Sequence, residues 1–256
     1  GNSGNNYTYT FISDTTGVIT TRAITVTAIT DTKIYNATNN STATPTVTSG
    51  TIASGDTGNF TETYDNANVG TNKILTATGS VSDGNGGNNY AITFVTNTTG
   101  VIEKAHLTVT ADNKTKVYGD ANPALTATIS GFAGSENLET SGVTGSASIS
   151  TTADNTTAVG TPTIDVLIGT LEAINYDFTT FNSGVLTITP APITVTADVK
   201  TKERGSGSDP ALTYTSALIG NDTNSVFIGA LSRTAGETVG TYPIAQDTLS
   251  AGLNYA

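Results

Sequence analysis

The chain has 256 residues, a net charge of −11 at pH 7, and no Cys, Met or Trp. The missing Cys residues exclude disulfides and thiolate nucleophiles, and scattered acidic residues without a basic patch argue against binding to nucleic acid or anionic membranes. Thr, Val, Ile, Tyr and Phe are frequent and helix formers are scarce, so the composition predicts an all-β protein.

The first segment, NYTYTFISDTTGVITTRA at 6–23, is typical of a strand, a turn and a second strand. Its Tyr7, Tyr9 and Phe11 share one face, because side chains two residues apart point to the same side of a strand. Similar hairpins end two later repeats, NYAITFVTNTTGVIEKA at 89–105 and NYDFTTFNSGVLTITPA at 175–191. Residues 1–22 are therefore predicted to be a surplus closing hairpin with no module in front of it.

Three similar phrases open three modules: ITVTAITDTKIYNAT at 24–38, LTVTADNKTKVYGDANPALT at 107–126 and ITVTADVKTKERGSGSDPALT at 193–213. Alternation places Ile24, Val26 and Ala28 on one strand face. The intervals suit small sandwiches of about seven strands. We predict tandem Ig-like β-sandwich modules at 23–105, 106–191 and 192–256, arranged in an elongated row, the third lacking its closing hairpin.

The surplus hairpin at the start and the missing one at the end leave two explanations open. In one, the chain is a window of a longer array, and its neighbours are further modules of that array. In the other, residues 6–21 complete the third module of the next molecule, head to tail, as in donor-strand complementation. The donor strand would then use Tyr7, Tyr9, Phe11, Val18 and Ile19, and the acceptor edge Leu249, Leu253 and Tyr255.

No constellation of catalytic residues is visible. His106 is the only histidine, and neither a G-x-S-x-G elbow nor an H-E-x-x-H pair occurs. The acidic residues do not form the facing pair that glycoside hydrolysis requires. We predict no enzyme activity, no catalytic residue and no cofactor, with His106 at the surface near a module junction.

Calcium is the one metal with candidate ligands, in turns that contain Asp65, Asp83 and Asp120. Their oxygen ligands suit Ca²⁺, but no twelve-residue calcium loop is present, and Asx turns explain the same residues. The sequons at Asn6, Asn59, Asn97, Asn113, Asn155 and Asn221 are candidate glycosylation sites.

Lys33, Lys116 and Lys202 occupy equivalent positions beside the first strand of each module. We predict that they form charged edges that prevent pairing with stray strands. An isopeptide bond to Asn or Asp is the alternative.

KVYGDANPALT at 116–126 resembles the opening signature of MBG (mostly beta, glycine-rich) repeat domains. The resemblance continues through GFAGSENLE at 131–139 and AVGTPTIDV at 158–166, and the third module repeats it. The first module, with TKIYNAT at 32–38 and YDNANVGTNK at 64–73, resembles the related YDG type. The third module departs from the pattern, because ERGSGSDP at 203–210 lacks the Tyr of the signature.

The resemblance implies non-enzymatic spacer and surface modules of bacterial extracellular adhesin-like proteins. We therefore expect an extracellular, cell-surface structural protein, either an adhesin stalk or the subunit of a surface fibre. Its partner would be a second copy or neighbouring modules, with no nucleic acid and no membrane insertion. The rival interpretation is a carbohydrate- or host-binding adhesive module, which predicts an exposed aromatic or acidic patch present in only one module.

Overall fold

A computed structural model describes Ser3 and residues 5–256. The chain divides into two compact units, Gly1–Ala105 and His106–Ala256. The division falls at the predicted start of the second module, and the second unit contains both remaining modules. Strands make up 41% of the residues, which confirms the all-β class. The helical structure in the described part is a single 3-10 turn at Asn224–Val226.

The first module contains seven strands, in agreement with the prediction. They form two sheets, with strand orders β3-β1-β6 and β2-β7-β5-β4. The first strand of each sheet pairs in parallel with a strand of the closing hairpin, β1 with β6 and β2 with β7. Their bounds are β1 Arg22–Thr27, β2 Thr32–Ile34, β3 Thr46–Ser49, β4 Thr57–Tyr64, β5 Gly70–Ser82, β6 Tyr90–Val95 and β7 Asn97–Glu103.

The core of this module follows from the period-two alternation of its strands. Ile24, Val26 and Ala28, which were predicted to share one strand face, are all buried, and the second sheet contributes Leu75 and Ile102. The Thr residues between them point outward or are half-buried, where a β-branched polar side chain suits a pleated surface.

The second module repeats this arrangement with seven strands. Its sheets have the orders β10-β8-β13 and β11-β12-β14-β9. Buried residues from both sheets form one cluster that includes Val109, Ile164 and Leu186. The bounds are β8 Ala105–Ala111, β9 Lys114–Val117, β10 Ala127–Ser130, β11 Ser148–Ser150, β12 Thr163–Leu167, β13 Tyr176–Asn182 and β14 Gly184–Thr189.

The third module is less regular than the other two. Its strands form three two-stranded ladders, β15-β16, β17-β20 and β18-β19. The bounds are β15 Val195–Ala197, β16 Tyr214–Ser216, β17 Phe227–Ile228, β18 Ser232–Arg233, β19 Ile244–Ala245 and β20 Ser250–Ala251.

One sequence expectation needs correction. Residues 7–21, predicted as a hairpin, contain no strand within this chain.

The repeated lysines were predicted to be charged edges, and Lys116 lies on the edge strand β9 but is buried. Its ammonium group donates to the backbone carbonyls of Asp120 and Asp154. An inward-pointing charge of this kind protects an edge in another way.

The aromatic residues of the closing hairpins contribute unequally to the cores of their modules. Tyr90 and Tyr176 are buried, whereas Phe94 remains 39% exposed. The apolar anchor of the second hairpin strand is aliphatic instead: Ile102 in the first module, and Leu186 and Ile188 in the second.

We expect Leu186→Ala to lower the free energy of unfolding by about 3 kcal/mol, because it leaves a cavity among fully buried side chains. Val185→Ala, on the outward face of the same strand and 38% exposed, is the matched control. Denaturant titration of both variants measures the difference. Equal losses in the two variants would contradict the assignment of β14 to the core.

Candidate functional site

The closing hairpin is the element that completes the first and second modules. β6 runs alongside β1, with Ile24 beside Ile92 and Val26 beside Phe94. The second hairpin strand then pairs with β2 or β9, and this places Ile102 beside Lys33 and Ile188 beside Lys116. Each of these isoleucines is buried, so each hairpin supplies both a strand to a sheet and side chains to the core.

The third module begins the same pairing but does not continue it. An isolated parallel bridge joins Ala191 to Tyr255, in the place that the Arg22–Tyr90 pair takes in the first module. Residues 200–203, equivalent to β2 and β9, form no strand. In the first two modules β7 pairs in parallel with β2, and β14 with β9. The described part of the third module contains no equivalent partner strand.

Two open grooves mark the place that a closing hairpin occupies in the second module. One, of about 620 Å³, lies between residues 197–204 and 236–244, the equivalents of β9 and β12. The other, of about 480 Å³, is lined by Ile193, by Val195 of β15, and by Ile244 and Leu249. We call these two cavities together the acceptor groove.

The predicted acceptor residues differ in position. Leu249 and Tyr255 are buried and line the smaller cavity. Leu253 is 88% exposed, lies in a turn and does not line the cavities.

In each module one tyrosine is held by a turn of the same module, an arrangement that we call the tyrosine clasp. In the first two modules this tyrosine is the first residue of the closing strand, and in the third it is the equivalent Tyr255. The hydroxyl of Tyr90 accepts a hydrogen bond from the Ala53 N–H (2.9 Å) and donates to the carboxylate of Asp56 (2.6 Å). Tyr176 makes the same two bonds to Ala133 and Glu136. Tyr255 makes them to Ile219 (2.9 Å) and Asp222 (2.6 Å).

Each clasp turn is closed by a backbone bond from the acidic residue to the residue three positions earlier, Asp56 to Ala53, Glu136 to Ala133 and Asp222 to Ile219. The hydroxyl is therefore satisfied as donor and as acceptor. The hydrogen bond to Asp56 raises the pKa of Tyr90. Burial is the main cause that raises the pKa of Tyr176 to about 12, and the hydrogen bond to Glu136 is the second cause. The sequence prediction did not include these acidic residues, although each of them ends a similar four-residue phrase. The phrases are ASGD at 53–56, AGSE at 133–136 and IGND at 219–222.

The second and third modules share one of these clasps. Tyr118 of the second module donates to the same Asp222 oxygen as Tyr255, at 3.0 Å, and the two rings meet edge to face with centroids 5.6 Å apart. Asn254 accepts a bond from the Val159 N–H at 2.9 Å. Tyr118 and Tyr255 also belong to the core cluster of the second module, so the two modules are packed together.

Four charged side chains form a network at the rim of the larger cavity. Lys202 Nζ lies 2.9 Å from Asp209 and 3.1 Å from Glu237, and Arg233 contacts both carboxylates at 2.9–3.0 Å. Arg233 and then Lys202 lower the pKa of Asp209 to about 2. Equivalent positions in the second module hold the neutral Asn122, Ala153 and Thr157, so the network is specific to the third module.

The predicted donor residues are unpaired in this chain. Tyr7, Tyr9, Phe11, Val18 and Ile19 are each at least 74% exposed. Two local hydrogen bonds of the closing hairpin are nevertheless present: Asp14 Oδ1 accepts bonds from the N–H and hydroxyl of Thr16, at 2.8 and 2.6 Å. Asn97 accepts the same two bonds from Thr99 in the first closing hairpin, both at 2.7 Å.

Comparison with protein-family models gives two matches. The model described as MBG domain (YGX type) matches residues 107–187 and 193–256, which is more than half of the chain. The model described as YDG domain matches residues 20–99. The chain belongs to the MBG domain family. No curated protein and no solved structure matches it.

Membership in this family fits a non-enzymatic, adhesin-like repeat protein, and MBG-type domains are typical of surface proteins of that kind. The first module is of the YDG type and the other two are MBG modules. In the described part of the chain, no helix is long and apolar enough to cross a membrane.

The carboxylates of two of the three calcium candidates have other partners in these modules. Asp83 accepts three backbone N–H bonds at 2.8–2.9 Å, and Asp65 pairs with Lys73 at 3.0 Å. The backbone of Asp120 closes a turn onto Val117. No group of three or more His, Asp or Glu side chains suited to a metal ion occurs among the described residues.

The remaining candidates lie mostly at the surface. His106 is 60% exposed and contacts Asp177. The sequon residues Asn6, Asn59, Asn113, Asn155 and Asn221 are exposed, whereas Asn97 is half-buried and caps its own turn.

The tyrosine clasp predicts an alkaline dependence of stability. The folded state holds the Tyr176 proton more tightly than an unfolded chain, whose tyrosine pKa is about 10. The stabilisation is therefore complete below about pH 10 and is lost as the pH rises towards about 12. Urea titrations across this range should show a shallower loss in Tyr176→Phe than in the unmodified chain.

At neutral pH the same variant should be about 1–3 kcal/mol less stable, because Glu136 and the Ala133 N–H lose a partner. Tyr214→Phe is the control, since the clasp does not involve Tyr214. A Tyr214→Phe profile that matches that of Tyr176→Phe would refute the assignment.

Proposed function

We propose that this chain is a non-enzymatic structural protein of the cell exterior, which assembles head to tail when residues 6–21 of one copy enter the acceptor groove of the next. The observation that supports this most is the match between an unfilled groove and an unpaired segment. The groove lies where the other two modules hold a closing hairpin, and the segment has the sequence of such a hairpin.

The spacing of the donor segment agrees with that of the first closing hairpin. Asp14 lies seven positions after Tyr7, and Asn97 lies seven positions after Tyr90. Ile19 stands five residues before Ile24, just as Ile102 stands five before Leu107 and Ile188 five before Ile193. Ile19 therefore has the position of two fully buried core residues, yet it is completely exposed in this chain.

These equivalences specify a register for the intermolecular pairing. Tyr9 of one copy would lie beside Ile193 of the next, and Phe11 beside Val195, as Ile92 and Phe94 lie beside Ile24 and Val26. Ile19 would lie beside Lys202, as Ile102 lies beside Lys33. Strand addition supplies main-chain hydrogen bonds, and the alternating side chains supply specificity.

Tyr7 is the exception within the donor segment. Its equivalents are Tyr90 and Tyr176, and the third module already holds its own equivalent, Tyr255, in the clasp. Ala256 likewise holds the position equivalent to Thr8 and is bonded to the backbone of Ala191 and Ile193. The groove therefore has no vacancy for Tyr7 or Thr8, and pairing would start at Tyr9. This makes Tyr7 a matched control for the other two aromatic residues of the segment.

We expect Phe11→Asp and Ile19→Asp to abolish fibres of the 256-residue chain, while Tyr7→Asp leaves them intact. Burying Ile19 contributes roughly 1.5–3 kcal/mol, and a carboxylate in its place adds a desolvation cost, so association should weaken at least about a hundredfold. Negative-stain electron microscopy and sedimentation velocity measure the assembly. All three positions are exposed in the chain, so the fold of the monomer provides no other explanation.

A second experiment tests the groove without fibres. A peptide of residues 6–21 is added to a chain truncated to begin at Arg22, and thermal unfolding is followed. The proposal expects the peptide to raise the melting temperature and its Ile19→Asp version to have no effect. Single molecules under all conditions, with no peptide effect, would instead favour neighbouring modules of a longer chain.

The exposed aromatic strip also bears on the rival function, carbohydrate binding. Among the described residues, an exposed aromatic set like Tyr7, Tyr9 and Phe11 occurs in this segment alone. The rings of Tyr9 and Phe11 meet edge to face at 81°, and therefore do not form the flat platform on which a sugar ring stacks. We accordingly favour strand donation.

A further inference from the structure

We infer that a surface of the third module, formed by Arg204, Gly205 and Val239, docks on the tyrosine clasp of the first module of a second copy, with Arg204 paired to Asp56. This inference rests on the proposed head-to-tail assembly. It names the second contact that each joint of the fibre would make, besides the donated strands.

The contact between the second and third modules is the template. There, Tyr118 reaches the clasp carboxylate Asp222, and the Val159 N–H donates to Asn254 beside the clasp tyrosine. Gly119 lies so close to the clasp turn that a Cβ on it would stand 2.4 Å from the Ile219 side chain. Its φ of +90° also favours glycine.

The third module carries the same docking surface without an occupant. TKERG at 201–205 aligns with TKVYG at 115–119, so Arg204 stands for Tyr118 and Gly205 for Gly119. Gly205 also has a positive φ, +83°, but open space lies where its Cβ would be. Val239 stands for Val159 and is 90% exposed. The third module covers this surface of the second module. The equivalent surface of the third module is open.

The first module carries the matching partner. Its clasp consists of Ala53, Asp56 and Tyr90, the equivalents of Ile219, Asp222 and Tyr255. A donated strand leads directly into this module, because residue 21 is followed by β1 at Arg22. The clasp that would meet the third module of one copy is therefore the Asp56 clasp of the copy that donates the strand.

Charge explains why arginine can replace tyrosine at this joint. Tyr118 donates one hydrogen bond to Asp222, and a guanidinium can donate to the same carboxylate oxygens with the gain of an ion pair. Arg204 has no hydrogen bond or ion pair among the residues that the structure describes. Asp56 already accepts from Tyr90, and a carboxylate has further lone pairs available.

The test is a double-mutant cycle on the full chain, with Arg204→Gln, Asp56→Asn and the combined variant. Asp56→Asn keeps an oxygen that can accept from Tyr90 while it removes the charge. Sedimentation at a series of concentrations measures the end-to-end dissociation constant. We expect each single change to raise this dissociation constant about three- to tenfold. The double variant should assemble no more weakly than the weaker of the two single variants.

Added salt should weaken the unmodified assembly more than the Arg204→Gln assembly, because the pair is partly exposed. Lys114→Gln is the control for the general loss of one positive charge. Additive effects of the two changes, or equal effects of Arg204→Gln and Lys114→Gln, would overturn the inference.

The two proposals can fail separately. If Phe11→Asp abolishes assembly but Arg204→Gln behaves as Lys114→Gln does, strand donation stands and the Arg204–Asp56 contact is refuted. If the full chain stays monomeric at every concentration, both are refuted.

Discussion

The parallel pairing between the opening and closing strands of a module is the constraint on which the rest of the structure depends. β1 and β2 must find partners in β6 and β7, which arrive some seventy residues later. A local hairpin cannot supply a parallel partner, and unpaired strand edges expose backbone donors and acceptors to association. In the described part of the third module the strands form two-stranded ladders, and the segment equivalent to β2 and β9 forms no strand.

The tyrosine clasp determines where that pairing starts. It ties the first residue of the closing strand to a turn in the middle of the module, so the strand enters in one register. In the MBG pair, Tyr118 adds a second donor to the same carboxylate. One acidic side chain thereby links the start of strand closure to the docking of the preceding module. In the third module the same anchor is formed by Tyr255, Ile219 and Asp222.

The sequence predicted those features that depend on local alternation and on repetition. Ile24, Val26 and Ala28 are buried as their spacing predicts, and the strand number and family follow from the repeated phrases. The direction of Lys116 was missed, although it is in phase with the buried Tyr118 two residues later. The clasps were missed because Asp56 and Tyr90 meet only in the fold. Leu253 was misjudged as an acceptor residue because its apolar character says nothing about the turn that exposes it.

The differences between modules are more informative about function than the repeated parts. Repetition explains a shared fold, whereas Arg204, Asp209, Arg233 and Glu237 replace neutral residues of the second module, and all four line the acceptor groove. Charges at an open edge prevent pairing with stray strands. Because Asp209, Arg233 and Glu237 form ion pairs with one another and with Lys202 at the rim, they leave the apolar residues Ile193 and Val195 accessible to a strand of the right pattern. The module thus combines an accessible apolar interior with a protected entrance, which is the arrangement that selective strand addition requires.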